Sequence, residues 1–432
     1  MNAIHQQLKT LLGPSGVVET PTIAAVGNWR GHPYDSPLLV RPANTEQVAA
    51  VLRLCNQHQQ ALVIHGGLSG MVGGTSNTNN EICLSLERLQ KVEGIDKLGR
   101  TMTVESGVRL QAVQEAAADE GLFFALDLGA RGSATIGGNI ATNAGGNQVI
   151  RYGMAREQVL GLEVVLADGT ILSSMNHLLK NNAGYDLKHL FIGSEGTLGI
   201  VTKAVLRLRP AMPARNTALV ATHQFDKLPR LLSHIESALG GKLSAFEAIW
   251  DNYYQLAIQG PHLGAPPFAQ RHPYYALIES AGNDTEAEGA IFLTALESAL
   301  DTGLIDDAVL AKSVKEQDAL WAIRDNIDAL SAIAPIIIFD VGLPIVSMEA
   351  YLEQIQADLK SQLGLTQLAV FGHLGDSNLH IVVGTETENI AVYHRVEEIL
   401  YAPLQALGGS ISAEHGIGLE KKRYLHYSRN AE

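Results

Sequence analysis

Ten residues, His65-Gly-Gly-Leu-Ser-Gly-Met-Val-Gly-Gly74, place five glycines directly after a short apolar run, Ala61-Leu-Val-Ile64. No other stretch limits the fold so tightly. Glycine removes the Cβ and lets backbone N–H groups come close to an anion, so a strand that opens into such a loop is built to cradle a pyrophosphate or, failing that, to make a plain surface turn. The spacing is neither the Gly-x-Gly-x-x-Gly fingerprint of a Rossmann dinucleotide site nor a loop ending in Gly-Lys-Ser/Thr, which weakens nicotinamide-enzyme and kinase-like readings. Two more segments favour ligand binding over a turn. One runs from Asp127-Leu-Gly-Ala130 through Ser133-Ala-Thr-Ile-Gly-Gly-Asn139 to Ala141-Thr-Asn-Ala-Gly-Gly-Asn147, and the other is Phe191-Ile-Gly-Ser-Glu-Gly-Thr-Leu-Gly-Ile200. Interleaved Ser, Thr and Asn supply hydrogen-bonding groups along an extended ligand.

Upstream of the first loop, Pro42 and a capping-box-like pair, Asn44 and Gln47, introduce a helix whose apolar positions are Val48, Val51, Leu52 and Cys55. Strands are expected at 102–106, 162–166 and 199–208, with an Asp168-Gly169 turn between two of them, so 36 to about 210 reads as one mixed domain. After Pro210 and Pro213 the glycine clusters thin out. Helices are expected over 284–301 and 315–333 and strands over 274–279 and 336–341. The expected organisation is a helical segment over 1–35, a cofactor domain over 36–212, a substrate or cap domain over 213–405, and a stretch over 406–432 that returns to the first domain. A chain of 432 residues has room for two or three domains, and no internal repeat is present.

Composition narrows the partners. A net charge of −14 without a basic run argues against nucleic acid, whose phosphates demand clustered Lys and Arg. Cys55 and Cys83 are too few for a disulfide framework or an iron–sulfur cluster, and point to a reducing, cytoplasmic setting. No apolar run reaches the ~18–20 residues that cross a bilayer, and the N-terminus lacks the charged and apolar regions of a secretion signal. Peripheral attachment to a membrane stays open.

A second chemical signal is independent of the glycines. Phe371-Gly-His373-Leu-Gly-Asp-Ser-Asn-Leu-His380-Ile-Val-Val383 reads as a β-hairpin, and a two-residue loop at Asp376 and Ser377 sets His373 directly opposite His380. Directly paired residues have Cβ atoms ~4.5–5.5 Å apart, close enough to share a metal; another loop length breaks the pairing. Ser412-Ala-Glu414-His415-Gly-Ile-Gly418 offers a carboxylate. Each histidine alone is better explained as a hydrogen-bonded core or surface residue. Together, two histidines and a glutamate are a ligand set for a divalent metal with an open position, zinc first and manganese or cobalt as alternatives.

The runs HGGLSGMVGG, DLGARGSATIGGNIATNAGG with Arg151-Tyr-Gly153, and GYDLKHLFIGSEGTLGIVT resemble the vanillyl-alcohol-oxidase type of FAD-linked oxidoreductases, within it the branch of D-lactate and D-2-hydroxyglutarate dehydrogenases. The likeness spans residues 36 to 423. It implies an α+β fold: a PCMH-type FAD domain of two α+β subdomains with a ferredoxin-like α+β cap over the flavin. By that resemblance Gly66, Gly67, Ser69, Gly70, Gly73 and Gly74 hold the pyrophosphate of a non-covalent FAD. Asp127, Leu128, Gly129, Ser133, Gly137, Gly138, Asn143, Gly145 and Gly146 line the cofactor further along, and Glu195, Gly196, Gly199 and Ile200 lie on its far side. His65 stands where some relatives attach flavin covalently, and the branch most resembled does not. GHLGDSNLH and EHGIG look like the family's metal motifs, which makes His373, His380 and Glu414 ligands and His415 the catalytic base. Arg324, in Leu320-Trp-Ala-Ile-Arg-Asp325, matches the arginine that holds the substrate carboxylate, a role favoured over the alternative of a helix-surface ion pair with Asp325 or Asp328.

The activity so implied is oxidation of a D-2-hydroxy acid to the 2-oxo acid. The metal lowers the hydroxyl pKa, His415 takes the proton, and hydride passes from substrate Cα to flavin N5. Where 2-hydroxyglutarate enzymes carry a hydroxyl residue, a lysine and an asparagine, this chain has Asp328, about Ile338, and Val382. Losing the lysine and gaining an aspartate disfavours a distal carboxylate, so a D-lactate-like or more apolar substrate is expected. Alternatives are a D-2-hydroxyglutarate dehydrogenase, a synthase of the alkyl-glycerone-phosphate type, and a non-catalytic FAD subunit of a glycolate-oxidase-like complex. Electrons would leave to a separate acceptor, a quinone, a cytochrome or an electron-transfer flavoprotein, with oxygen as a further option. A homodimer is the expectation from frequency alone.

Overall fold

Asn44 accepts the N–H of Gln47 at 2.9 Å and Gln47 Oε1 accepts that of Ala43 at 2.7 Å, a reciprocal cap that starts the helix Thr45–Gln57. The buried stripe of that helix, Val48, Val51, Leu52 and Cys55, packs with the helix Ala3–Leu12 onto a four-stranded sheet ordered Val17–Glu19, Leu38–Val40, Ile82–Ser85, Leu62–His65. The last three strands run parallel and the first antiparallel. Ile82–Ser85, which lies between parallel neighbours, is buried along its whole length, as a central parallel strand must be. The computed structural model describes residues 3–19, 34–259 and 265–430; the expected helical segment 1–35 lies partly outside them.

A five-stranded antiparallel sheet follows, ordered Val92–Asp96, Thr101–Glu105, Ile200–Arg207, Val159–Val165, Ile171–Ser174. Thr170 donates its N–H to Asp168 Oδ1 at 2.8 Å, and Gly169 at φ +81° completes the tight turn expected there. The helix Leu110–Asp119 buries Leu110, Val113 and Ala117 in this sheet's own core with Met102, Val104, Leu162 and Ala204. Two sheets with two cores make the two α+β subdomains of the first compact unit, Met1–Gly146, Tyr152–Ala211 and Glu414–Lys422.

The second unit comprises Asn147–Arg151, Met212–Ala413 and Arg423–Glu432. The stretch that packs with the first unit is thus 414–422, shorter than the expected 406–432; Ser428 Oγ accepts the N–H of Ile411 at 2.9 Å and Tyr424 donates to Glu397 at 2.9 Å, which keeps the final residues with the second unit. The sheet of this unit is antiparallel and seven-stranded: Asp307–Leu310, Ala214–Thr222, Tyr274–Gly282, Leu243–Trp250, Leu368–His373, Asn378–Gly384, Ile336–Gly342. Its first four strands, in chain order 4-1-3-2 with the helices Lys227–Leu239 and Thr285–Asp301 as crossovers, form a ferredoxin-like βαββαβ core, and the hairpin and the last strand extend it. Alternation sends Leu219, Ile249, Tyr275, Phe371 and Val382 to one face, where Tyr253, Leu320 and Ile323 cover them. The helix expected over 315–333 is broken. Val314–Arg324 is helical, then Asn326 donates to Ala257 O at 2.8 Å and the chain resumes as a 3₁₀ turn, Ile327–Ile333. No helix among the described residues is long and apolar enough to cross a membrane.

Candidate active site

Within the first unit the glycine segments meet. A Cβ on Gly67 would lie 2.0 Å from Ser133 O and 2.9 Å from Ala134 Cα, and one on Gly66 would lie 2.8 Å from Thr135 Oγ1. Gly137 backs onto Ser106, and Gly146 at φ +152° comes so near the Asp127 carbonyl that a Cβ would stand 1.8 Å from it. These glycines let loop pack on loop. Gly70, Gly74 and Gly129 are different: nothing lies within 4 Å of where their Cβ would be. Beside them Thr75 and Ser76 hold buried hydroxyls, and Asn139 a buried amide nitrogen, with no hydrogen-bond partner among the described residues. Open glycine backbone with unsatisfied polar atoms fits a phosphate-bearing extended cofactor such as FAD.

The other expected cofactor residues fall into two groups. Ser69, Gly73, Gly138 and Gly196 sit in the same loops, with Gly73 at φ +73° and Gly196 at φ +76°. Asn143, at φ +49°, accepts the N–H of Arg156 on Oδ1, while Ser133 hydrogen-bonds back to Ala130 O and Asp127 pairs with Arg131 at 3.2 Å. Gly145 is buried between Asn143 and Gly146. Leu128 packs against the second subdomain's core, Ile200 is buried in the first core, and a Cβ on Gly199 would strike Val164 at 2.7 Å, so these three serve packing. His65 ends its strand buried, its Nε2 3.3 Å from Thr75 O and its ring edge-on to Tyr34; burial pushes its pKa down, with the Thr75 contact opposing. Exchanging Gly67 for Ala is expected to drive the two loops apart and lower bound flavin roughly tenfold, read as the 450/280 nm absorbance ratio, because overpacking costs about 1–3 kcal/mol. Gly70→Ala should leave thermal stability intact and still lower flavin content.

Glu195 takes the left-handed conformation, φ +52°, and its two oxygens accept the N–H groups of Ile417 and Gly418 at 2.8 Å each. Val72 O accepts from Leu419 at 3.0 Å and Glu420 at 3.2 Å. The Glu414-His-Gly-Ile-Gly418 turn is therefore clamped by the residues of the first and third glycine segments, and the Glu195 carboxylate holds that turn.

In the second unit the hairpin departs from its expected register. Leu374–Asp376 form a 3₁₀ turn and Ser377 is left-handed at φ +69°, so the loop is longer than two residues. Phe371, not His373, pairs with His380, and His373 pairs with Glu247 on the neighbouring strand. The direct pairing of the two histidines is lost. They still share a face as diagonal neighbours, their rings 5.3 Å apart.

That face is the one lined by Phe371 and Val382, and its polar end is organised by a residue no motif advertised. Glu247, fully buried, accepts from His373 Nδ1 at 2.6 Å and from Arg324 Nε at 2.9 Å. Burial works to raise its pKa, and the adjacent His373 and Arg324 more than reverse that, holding it at about 2. Burial likewise opposes the charge on Arg324, yet Glu247 and Asp325 keep its pKa above the ordinary value. Arg324 Nη2 lies 3.1 Å from His373 Nε2 and Nη1 lies 3.3 Å from Asp325. With Nδ1 on Glu247, Nε2 is the His373 atom left for an ion, the carboxylate–histidine arrangement that orients metal-bound imidazoles; an ion there would displace the Arg324 contact. Asp340, opposite His380 in the register, accepts the N–H of Ala413 at 2.7 Å and so fixes the residue before Glu414. One ligand atom each of His373, His380 and Glu414 lies within 4.8 Å of the others, a donor set and spacing that fit a divalent ion. Asn378, two residues before His380 on the same strand, is buried with both amide atoms unpartnered among the described residues. Buried amides are normally satisfied, so Asn378 joins Glu247 as a site residue that motif reading passed over.

Two families match the chain: FAD binding domain over residues 36–174, and FAD linked oxidases, C-terminal domain, over residues 211–432. A D-2-hydroxyglutarate dehydrogenase of Xanthomonas citri pv. viticola is 42% identical over 412 residues, covering 94% of this chain and 86% of that protein. A mitochondrial D-2-hydroxyglutarate dehydrogenase of Bos taurus is 38% identical over 418 residues, covering 96% and 75%. Among solved structures, an alkyldihydroxyacetonephosphate synthase superposes with a TM-score of 0.76 at 18% identity, covering 95% of this chain and 80% of that one. The 4-ethylphenol oxidase of Gulosibacter chungangensis superposes with a TM-score of 0.72 at 16% identity, covering 98% and 90%. These two likenesses establish the shared fold.

Proposed function

The chain belongs to the FAD-linked oxidases, among relatives named D-2-hydroxyglutarate dehydrogenase, and on that premise we propose that it oxidises a D-2-hydroxy acid to the 2-oxo acid with a divalent metal at His373, His380 and Glu414. The proximity of those three donors carries the reading. FAD supplies the two-electron acceptor when bound, and the metal supplies Lewis acidity toward the substrate oxygens. Glu247 fixes the tautomer and orientation of His373. Arg324 is held by Glu247 through Nε and by Asp325 through Nη1, and with an ion on His373 Nε2 its Nη2 would be released toward the substrate carboxylate. A ring nitrogen of His415, on the clamped turn, takes the hydroxyl proton. A non-covalent flavin is part of the proposal, since the His65 ring is already held by Thr75 and Tyr34. So is a cytoplasmic setting, supported by two free buried cysteines.

For substrate size, the supporting residues are Ile338 and Val382, which pair across the last two strands on the site's face and offer no group for a distal carboxylate. Asp328 is exposed on the 3₁₀ turn and adds little. D-lactate or a longer aliphatic D-2-hydroxy acid is therefore proposed ahead of D-2-hydroxyglutarate, the reading that the relatives' names favour. Anaerobic mixing with a panel of D- and L-2-hydroxy acids tests both. The flavin should bleach with D-acids and not with L-acids, more slowly after chelator treatment, and kcat/KM should be highest for the aliphatic acids. A preference for D-2-hydroxyglutarate would overturn the size argument, and no bleaching with any acid would overturn the activity.

A further inference from the structure

We propose that His223, His272 and Asp306 form a second divalent transition-metal site, at the far end of the second unit's sheet from the Ile336–Gly342 edge. Three strand ends come together there. Thr222 pairs with Tyr274 and Ala221 with Asp307, which brings His223, just after one strand, beside His272 and Asp306, just before two others. The frame is held by backbone: Asp306 donates its N–H to Ala221 O at 2.8 Å, and His272 donates its N–H to Tyr275 Oη at 2.9 Å. Asp306 Oδ2 accepts both the backbone N–H and Nδ1 of His223, each at 2.8 Å. One ligand atom from each of the three residues lies within 4.8 Å of the other two.

The observation that asks for a ligand is His272. Its side chain is buried, its ring centroid lies 4.9 Å from that of His223, and neither ring nitrogen has a hydrogen-bond partner among the described residues. Phe268 and Tyr275 stand around it at 5.8 and 6.0 Å. Leaving a buried polar group unsatisfied is costly, so such a ring calls for an occupant at its lone pair. Among the described residues, the neighbouring groups that could face an ion together with His272 are an imidazole and a carboxylate. Two imidazoles and one carboxylate suit Zn²⁺, Co²⁺ or Ni²⁺ and not Mg²⁺ or Ca²⁺, which require oxygen-rich shells. His223 and Asp306 are both exposed, so the ion has a path in and keeps solvent ligands. Lys227 lies 3.4 Å from Asp306 Oδ1 and His223 Nδ1 lies 2.8 Å from Oδ2, and both contacts compete with an ion for that carboxylate, which limits affinity. An ion here clips three strand ends and favours the folded state in proportion to its occupancy.

The test uses untagged holoenzyme, freed of metal by chelator and dialysed to equilibrium against ZnCl2, with zinc counted per chain. His223→Asn and Asp306→Asn, both at the surface, should each hold one zinc fewer than wild type, and zinc should raise the Tm of wild type more than that of either variant. His380→Ala reads the other ligand set, and combining it with His223→Asn should remove both ions additively. Equal zinc content in wild type and His223→Asn, in correctly folded protein by circular dichroism, overturns the site whatever His380→Ala shows.

Discussion

His415→Ala is expected to lower kcat by about 10²–10⁴, the usual range for removing a general base, with flavin content and metal content unchanged. The turn that carries this residue is held through backbone groups. Glu195 holds the N–H groups of Ile417 and Gly418, Val72 holds those of Leu419 and Glu420, and Gly416 and Gly418 supply the left-handed steps at φ +86° and +50°. A Cβ on Gly418 would stand 2.1 Å from Val72 O, so the path of the chain is set by backbone contact. The substitution therefore removes the imidazole while these backbone contacts remain. Rapid-reaction measurement of flavin reduction isolates the step. Turnover within a few-fold of wild type would remove His415 from the chemistry. Glu195→Ala should mimic part of the loss through a loosened turn and, unlike His415→Ala, should also raise KM.

Glu247→Ala should be the most damaging single change to stability, about 3–5 kcal/mol, because it leaves Arg324 charged and buried without its partner. It should also weaken metal binding some 10–100-fold, since His373 loses the carboxylate that orients it. Glu247→Gln separates the two effects: the amide fills the same space and can accept from Arg324 while no longer balancing its charge. In the unaltered protein the same residue ties stability to acidity. Its folded-state pKa of about 2 lies below the ordinary carboxyl value of 4.5, so its contribution is fully present above about pH 4.5 and is lost as pH falls toward 2. Urea titrations at several pH values should show this slope in wild type and a flatter one in Glu247→Gln. Equal midpoints for wild type and Glu247→Ala would mean that the buried cluster contributes nothing.

What the residues alone revealed divides along physical lines. The helix Thr45–Gln57, its cap at Asn44, the strands and the Asp168-Gly169 turn are local, and the sequence pattern located each within a few residues. The glycine segments were legible because only a demand for close approach explains so many of them, and the contact between Gly67 and Ser133 is that approach. Register in the hairpin that carries His373 and His380 was not legible. It depends on whether Leu374–Asp376 wind into a 3₁₀ turn and whether Ser377 turns left-handed, and neither residue type demands it. Glu247 escaped for another reason: an acidic residue in an apolar strand gains meaning only from Arg324 and His373, which are 77 and 126 residues away along the chain. The broken helix after Arg324 has the same origin, a tertiary hydrogen bond from Asn326 that no periodicity records.

The packing of the first glycine loop on the second has a practical corollary. Because Gly66 and Gly67 meet Ser133 and Thr135 through polypeptide alone, the receptacle for the dinucleotide is assembled by the protein itself. With the non-covalent flavin proposed above, such a protein would lend itself to being stripped and recharged with synthetic deazaflavins or halogenated flavins, and so to having its redox potential chosen at the bench.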